Sequence, residues 1–300
     1  MSRPVQPGTL TSTLSRRLSV VVLAVLCGGT LAAQVDHTPE VSSAINWQTS
    51  TLEVTLTQRV DMTAGNAPAR LHRAQQQIER EFGSVLFTSL LPLQIDSVRT
   101  VEDAVRDRPE LAARIRELAE KAERQVPRPD LQMSQITRRH LVPIFPDLAE
   151  LFIGHRIPFR MERVIEWIPT ETFTGVVIHA ADPLPHRGTG ENVYLTPALL
   201  PEIFDTELRP VLEQDMLNPE AIRRWGVVAY TEDYDEDVWR NRIGANPLRL
   251  MAREAFGVVP TDIVIGREDA NLLLSSSHNR ELLREGRILV IVGPGQTTAR

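Results

Sequence analysis

Four short, nearly uninterrupted apolar runs in the second half of the chain, at 172–179, 225–231, 261–265 and 287–292, limit the fold more than any other feature. Runs this short and rich in β-branched residues read as strands buried on both faces, the pattern of a sheet covered on two sides. Helical candidates at 247–256 and 267–274 lie between the last three, and 279–284 forms a further turn or helix. Strands alternating with helices predict an α/β domain with a mixed, partly parallel sheet over 160–293, with the loops at 181–192 and 232–237 on its surface.

The first half has a different rhythm. Residues 51–57 alternate polar and apolar side chains, which predicts a half-buried strand. Asn66 is placed to cap a helix in which Leu71, Ala74, Ile78, Phe82 and Val85 recur at three- and four-residue spacing, ending at Leu91-Pro92. Thr100 and Asp103 resemble a capping box, and Leu111, Ile115, Leu118 and Ala122 form the stripe of a further helix restarting near Pro109. Pro127-Arg128-Pro129 stops it, 131–144 reads as strand and 146–153 as a short helix. The fold class is therefore α+β: a small α+β domain at 47–155, then the α/β domain, with 34–46 a linker and 294–300 a tail.

Residues 1–33 read as a secretory signal peptide. Arg3, Arg16 and Arg17 precede the apolar run 18–26, and Leu31-Ala32-Ala33 supplies small residues at the cleavage position. Export to the periplasm follows, with attachment through an uncleaved signal left open. Cys27 is the one cysteine and falls inside the apolar run, where Leu26 makes a poor lipidation signal. Cleavage near Ala33 removes it, and with it disulfides, thiolate catalysis and cysteine-based metal sites. Cleavage also leaves 30 basic against 39 acidic residues, a net charge of −9, with the two signs interleaved. That balance argues against nucleic acid as a partner.

No constellation of reactive residues has the spacing that chemistry demands. His179, Asp182 and His186 are the nearest to a metal set, but Pro183 and Pro185 make their loop irregular. Asp233, Asp235 and Asp237 start like a calcium loop, yet Val238 stands where a glycine is needed and no placed glutamate follows. Ser275, Ser276 and Ser277 precede His278, with Asp262 and Asp269 nearby, but lack the glycine-flanked turn of a hydrolase nucleophile. Gly188, Gly190, Gly293 and Gly295 do not form a phosphate cradle, and Glu162 and Glu166 are paired only by helical spacing. Trp47, Trp167, Trp225 and Trp239 are dispersed in sequence and read as core or interface anchors rather than sugar platforms. No catalytic, cofactor-binding or metal residue is assigned.

The stretch from Ala69-Arg70-Leu71 through the long helix into Leu93-Gln94-Ile95-Asp96-Ser97 and Thr100-Val101-Glu102-Asp103 resembles the N-terminal domain of bacterial flagellar assembly protein T. A related domain occurs in small envelope lipoproteins. The second half is similar to a C-terminal part of such envelope proteins through residues 173–178, Asn246-Pro247-Leu248, residues 261–265, Glu268-Asp269-Ala270 and residues 288–292. The resemblance implies a non-enzymatic periplasmic structural or assembly protein without a cofactor, its partners being envelope or flagellar basal-body proteins or copies of itself. It carries over no catalytic residue. Cys27 and His179-Ala180-Ala181-Asp182 depart from the family pattern. An extracytoplasmic metal-dependent hydrolase, or a ligand-binding module with a cleft between the halves, is the alternative.

Overall fold

A computed structural model describes residues 38–63, 65–165 and 171–299. The signal-peptide reading, Cys27, Glu166 and Trp167 lie outside the described residues. The elements are β1 (Glu40–Asn46), β2 (Thr51–Arg59), α1 (Ala67–Leu90), α2 (Val101–Asp107), α3 (Leu111–Glu117), β3 (Gln135–Pro143) and α4 (Asp147–Glu150) in the first half. The second half contains β4 (Val176–Ala180), β5 (Ile203–Asp205), β6 (Pro210–Leu212), α5 (Pro219–Trp225), β7 (Ala229–Thr231) and α6 (Arg240–Ile243). Then follow β8 (Leu248–Phe256), β9 (Asp262–Ile265), α7 (Arg267–Ser275), α8 (Ser277–Arg284), β10 (Ile288–Val292) and β11 (Thr298–Ala299).

Alternation builds the first sheet. Leu52, Val54, Leu56 and Gln58 of β2 point inward while Thr51, Glu53, Thr55 and Thr57 take the other face. β2 is the antiparallel centre between β1 and β3, with Leu52 opposite Ile45 on one side and Val142 on the other. Across the inner face lies α1, whose Ala74, Ile78, Phe82, Leu86 and Leu90 are buried at helical spacing. Each of the larger ones contributes about 2 kcal/mol by leaving water. The Asn66 side chain accepts the Ala69 N–H at the start of α1, and Thr100 and Asp103 exchange both bonds of a capping box at α2. His140 of β3 belongs to this core, stacked on Phe82 with ring centroids 3.9 Å apart.

The second sheet has seven strands in the order β6-β5-β9-β8-β4-β10-β7. β7, β10, β4 and β8 run parallel, β8 and β9 antiparallel, β9 and β5 parallel, and β5 and β6 antiparallel. The α/β reading with a mixed sheet holds. Every residue of β9 and β10 is buried, as the apolar runs require.

Four expectations are corrected. Of the run 225–231 only Ala229–Thr231 is strand, β7, because Trp225 closes helix α5 and Gly226 caps it. The stretch 247–256 is strand β8 rather than helix: its residues pair with β4 and β9, and its burial alternates with a shift at the bulge between Ala252 and Glu254. Part of the expected linker is β1, whose seven residues pair in register with β2. The expected tail carries β11, which pairs antiparallel with β1 through Ile45–Ala299 and Asn46–Thr298.

One continuous hydrophobic cluster runs through both halves. Residues 94–97 stitch them together by backbone: Leu199 and Leu200 donate to the Gln94 and Ile95 carbonyls at 3.1 and 2.7 Å, and Val259 donates to Ser97 at 2.9 Å. Among the described residues no helix is long and apolar enough to cross a membrane.

Candidate functional site

The structure disperses the reactive residues that the sequence places close together. His179 stacks against Tyr234, while the His186 ring nitrogen Nε2 bonds the Gly257 carbonyl at 2.8 Å and Asp182 is exposed. No group of three or more His, Cys, Asp or Glu among the described residues is arranged to hold a metal ion. Asp233, Asp235 and Asp237 form a run of turns: the Asp233 and Asp235 carboxylates accept the N–H groups of Asp235 and Asp237, and Asp237 pairs with Arg240. Ser275 donates to the Leu272 carbonyl, Ser276 caps α8, and His278 donates from Nε2 to the Phe173 carbonyl at 2.7 Å. Glu162 lies in irregular chain rather than in a helix. His186, Asp233, Asp235, Ser275, Ser276 and His278 are held in structural hydrogen bonds.

Carboxylates do gather at the junction of the halves. Asp262, buried at the start of β9, accepts the Glu202 N–H at 3.1 Å and the Thr261 hydroxyl at 3.2 Å. Burial, then the charges of Asp262, Glu213 and Asp96, push the Glu202 carboxyl up to about 7, and burial raises Asp262 as well. The cluster stores electrostatic strain beside the 94–97 stitch.

Of the grooves open on the surface, two bear on function. The larger, of about 610 Å³, runs between β1 and α1 and is mainly apolar, walled by Val41, Ala44, Ile45, Val85, Pro92 and Leu93. Val41 is 43% exposed here. The sheet edge beside it is unfinished: β11 pairs only with Ile45 and Asn46, and among the described residues no strand covers the outer edge of β1 from Glu40 to Ala44. An edge of free N–H and C=O groups beside an apolar trough is the geometry that accepts an added strand.

The second groove, of about 400 Å³, lies between the β1–β2 turn and the α5–α6 region. Trp225 and Trp239 line it with Phe145, Arg224 and Arg242, so two tryptophans from different elements share one groove. Trp47, in contrast, is buried against Tyr230 in the core, with ring centroids 5.5 Å apart. Gly226 keeps this region closed up. Its φ is +78°, and a Cβ there would stand 2.4 Å from Cζ of Phe145, so only glycine fits.

Arg242 is the residue that sequence reading misses. It is 6% exposed and spends its guanidinium on three carbonyls: Nε to Gly286 at 2.8 Å, Nη1 to Trp225 at 2.7 Å and Nη2 to Gly226 at 3.0 Å. Burial without a carboxylate partner lowers it to about 9. In a chain where arginine supplies nearly every positive charge, nothing at the sequence level marks this one.

Residues 38–151 match the family model described as Treponema pallidum Tp0624, N-terminal domain. Residues 175–294 match that described as Treponema pallidum Tp0624, second domain. The chain is thus similar to two domains of one protein, in the same order. The Tp0624 N-terminal match contains β1, α1 and all of the apolar groove's wall but Thr196 and Pro197, and the second-domain match contains Trp225, Trp239 and Arg242. β11 falls beyond both. Neither Tp0624 description names an activity, ligand or partner, and no curated protein matches the chain.

Proposed function

We propose that this protein is an exported, non-enzymatic structural or assembly component of the bacterial envelope, working in the periplasm by docking an extended segment of a partner protein against β1. The observation that carries this reading is the open β1 edge beside the apolar groove. A strand added along Glu40–Ala44 pairs by backbone and drops alternate side chains between Val41 and Val85. The signal-like N-terminus supplies the compartment, and the resemblance to flagellar assembly protein T makes basal-body proteins the first partners to look for. The function requires no cofactor.

The test places a photo-activated crosslinking residue at Val41 or at Val85 in the native bacterium, with Leu131, 98% exposed and away from the groove, as the control position. The expected result is one envelope or basal-body protein captured from both groove positions and not from the control, crosslinked through a contiguous segment. Capture of the same abundant proteins from all three positions refutes the reading. The hydrolase alternative has no geometry in its favour, since His179 and His186 are drawn into separate contacts and Asp182 is exposed. The ligand-binding alternative has one observation behind it, the Trp225–Trp239 groove.

A further inference from the structure

We infer that the groove holding Trp225, Trp239 and Arg242 binds an anionic sugar, a hexose carrying a carboxylate or phosphate. This site is separate from the β1 edge and does not depend on it.

Three features converge. The first is charge: Arg224 and Arg242 are the charged residues in the groove wall, and no acidic residue lines it among the described residues. Arg242 donates three of its five N–H groups to backbone carbonyls, which fixes the fork and leaves two donors with no protein acceptor. Arg224, exposed, lies 4.6 Å from the Trp225 ring centroid and makes no ion pair among the described residues. The nearby acids are already engaged: Glu285 by Arg287 at 2.6 Å, Glu236 by Arg249 at 2.6 Å, Asp237 by Arg240 at 3.0 Å, and Glu150 and Glu220 together by Arg223 at 3.2 and 2.7 Å. In an acidic chain this leaves a local excess of positive charge with no counter-ion from the protein. A planar fork of this kind pairs with a carboxylate or phosphate through two parallel hydrogen bonds.

The second feature is the pair of indoles. Trp225 is anchored by its own Nε1–H, which donates to the Glu285 carbonyl at 2.8 Å, so its ring is held rather than free to rotate. Trp239 stands across the same groove, partly buried against the small cluster of Val177 and Leu289. Arg224, Arg242 and Arg287 stand 4.6, 5.4 and 5.7 Å from the Trp225 ring centroid, so Trp225 organises the cationic wall and Trp239 supplies the rigid aromatic face that suits the C–H face of a sugar ring. The third feature is the rim, where Gln48 and Asn241 present exposed side-chain amides to sugar hydroxyls. A groove of about 400 Å³ is in the size range of small-molecule sites.

The test follows the indole N–H resonances of the purified protein by nuclear magnetic resonance during titration with glucuronic acid. Glucose 6-phosphate tells which acid group is preferred, glucose is the neutral control and acetate the ringless one. Expected is movement of the Trp225 and Trp239 signals with either acidic sugar, little movement with glucose or acetate, and a stationary Trp47 signal from the core. Arg224→Ala, at an exposed residue, should weaken the acidic sugar about tenfold and leave the melting temperature unchanged. Trp239→Ala should weaken it by a similar factor. No movement at millimolar glucuronate and millimolar hexose phosphate overturns the proposal. So does equal movement with acetate, or an Arg224→Ala variant that binds as the parent does.

Discussion

Replacing Glu202 by glutamine should stabilise the protein at pH 8 and do nearly nothing at pH 5. In the fold, burial and the neighbouring Asp262, Glu213 and Asp96 charges raise this carboxyl to about 7 from an ordinary 4.5. A carboxyl raised on folding binds its proton more tightly in the native state, so its contribution is most favourable below 4.5, falls as pH climbs from 4.5 to 7, and is constant above that. Taken at face value, a shift of this size is worth roughly 3.4 kcal/mol; discounted for the partial exposure of the side chain, about 1–2 kcal/mol remains. Glutamine removes the ionisation but retains an oxygen for the Gln214 N–H that the carboxylate accepts. Urea unfolding of parent and variant at pH 5 and pH 8 reads the difference directly, and the pH 8 midpoint should rise by roughly 0.5 M. If the variant is equally stabilised at both values, or is destabilised at pH 8, the carboxylate cluster at the junction is not the electrostatic strain described above.

The buried His140 gives the opposite slope. Burial lowers it from 6.5 to about 4, so the stability it allows is complete above 6.5 and is lost as pH falls toward 4, by about 2–3 kcal/mol, and an acid titration of His140→Leu should lack that component. Gly226→Ala should lower stability by about 2 kcal/mol or more in thermal melts, because the left-handed backbone and the Phe145 ring both exclude a Cβ. Asn66→Ala should cost about 1 kcal/mol through the lost α1 cap and leave the m-value unchanged in urea.

What could be read in advance was whatever local pattern and burial agree on. The α1 stripe and the alternation of β2 are set by the face each element buries, and a residue's period reveals that face. β8 was hidden because Leu248-Arg249-Leu250-Met251-Ala252-Arg253-Glu254-Ala255 is built of good helix formers, and only pairing with β4 and β9 makes it a strand. β1 was hidden for a different reason. Its Glu40-Val41-Ser42-Ser43 start is polar because it lies at a sheet edge, so no buried face imprinted a period on it. The groove around Arg242 is lined by Phe145, Trp225 and Trp239 from separate elements, which no spacing rule connects. Glu232 is legible only as the start of a surface loop, yet it accepts both the N–H and the hydroxyl of Thr297, at 2.8 and 2.6 Å.

That contact and the β1–β11 pairing give the molecule a particular order of assembly. Ile45 finds Ala299 across about 250 residues of chain, and Trp47 donates to the Thr297 carbonyl at 2.8 Å. A ribosome or a translocation channel delivers the first sheet long before it delivers the residues that close its margin. Throughout that interval the whole of β1 is exposed as a template for any passing strand. The arrival of Thr298 and Ala299 narrows that template from the full strand to Glu40–Ala44, so a strand made long after β1 defines how much of it remains for a partner to recognise.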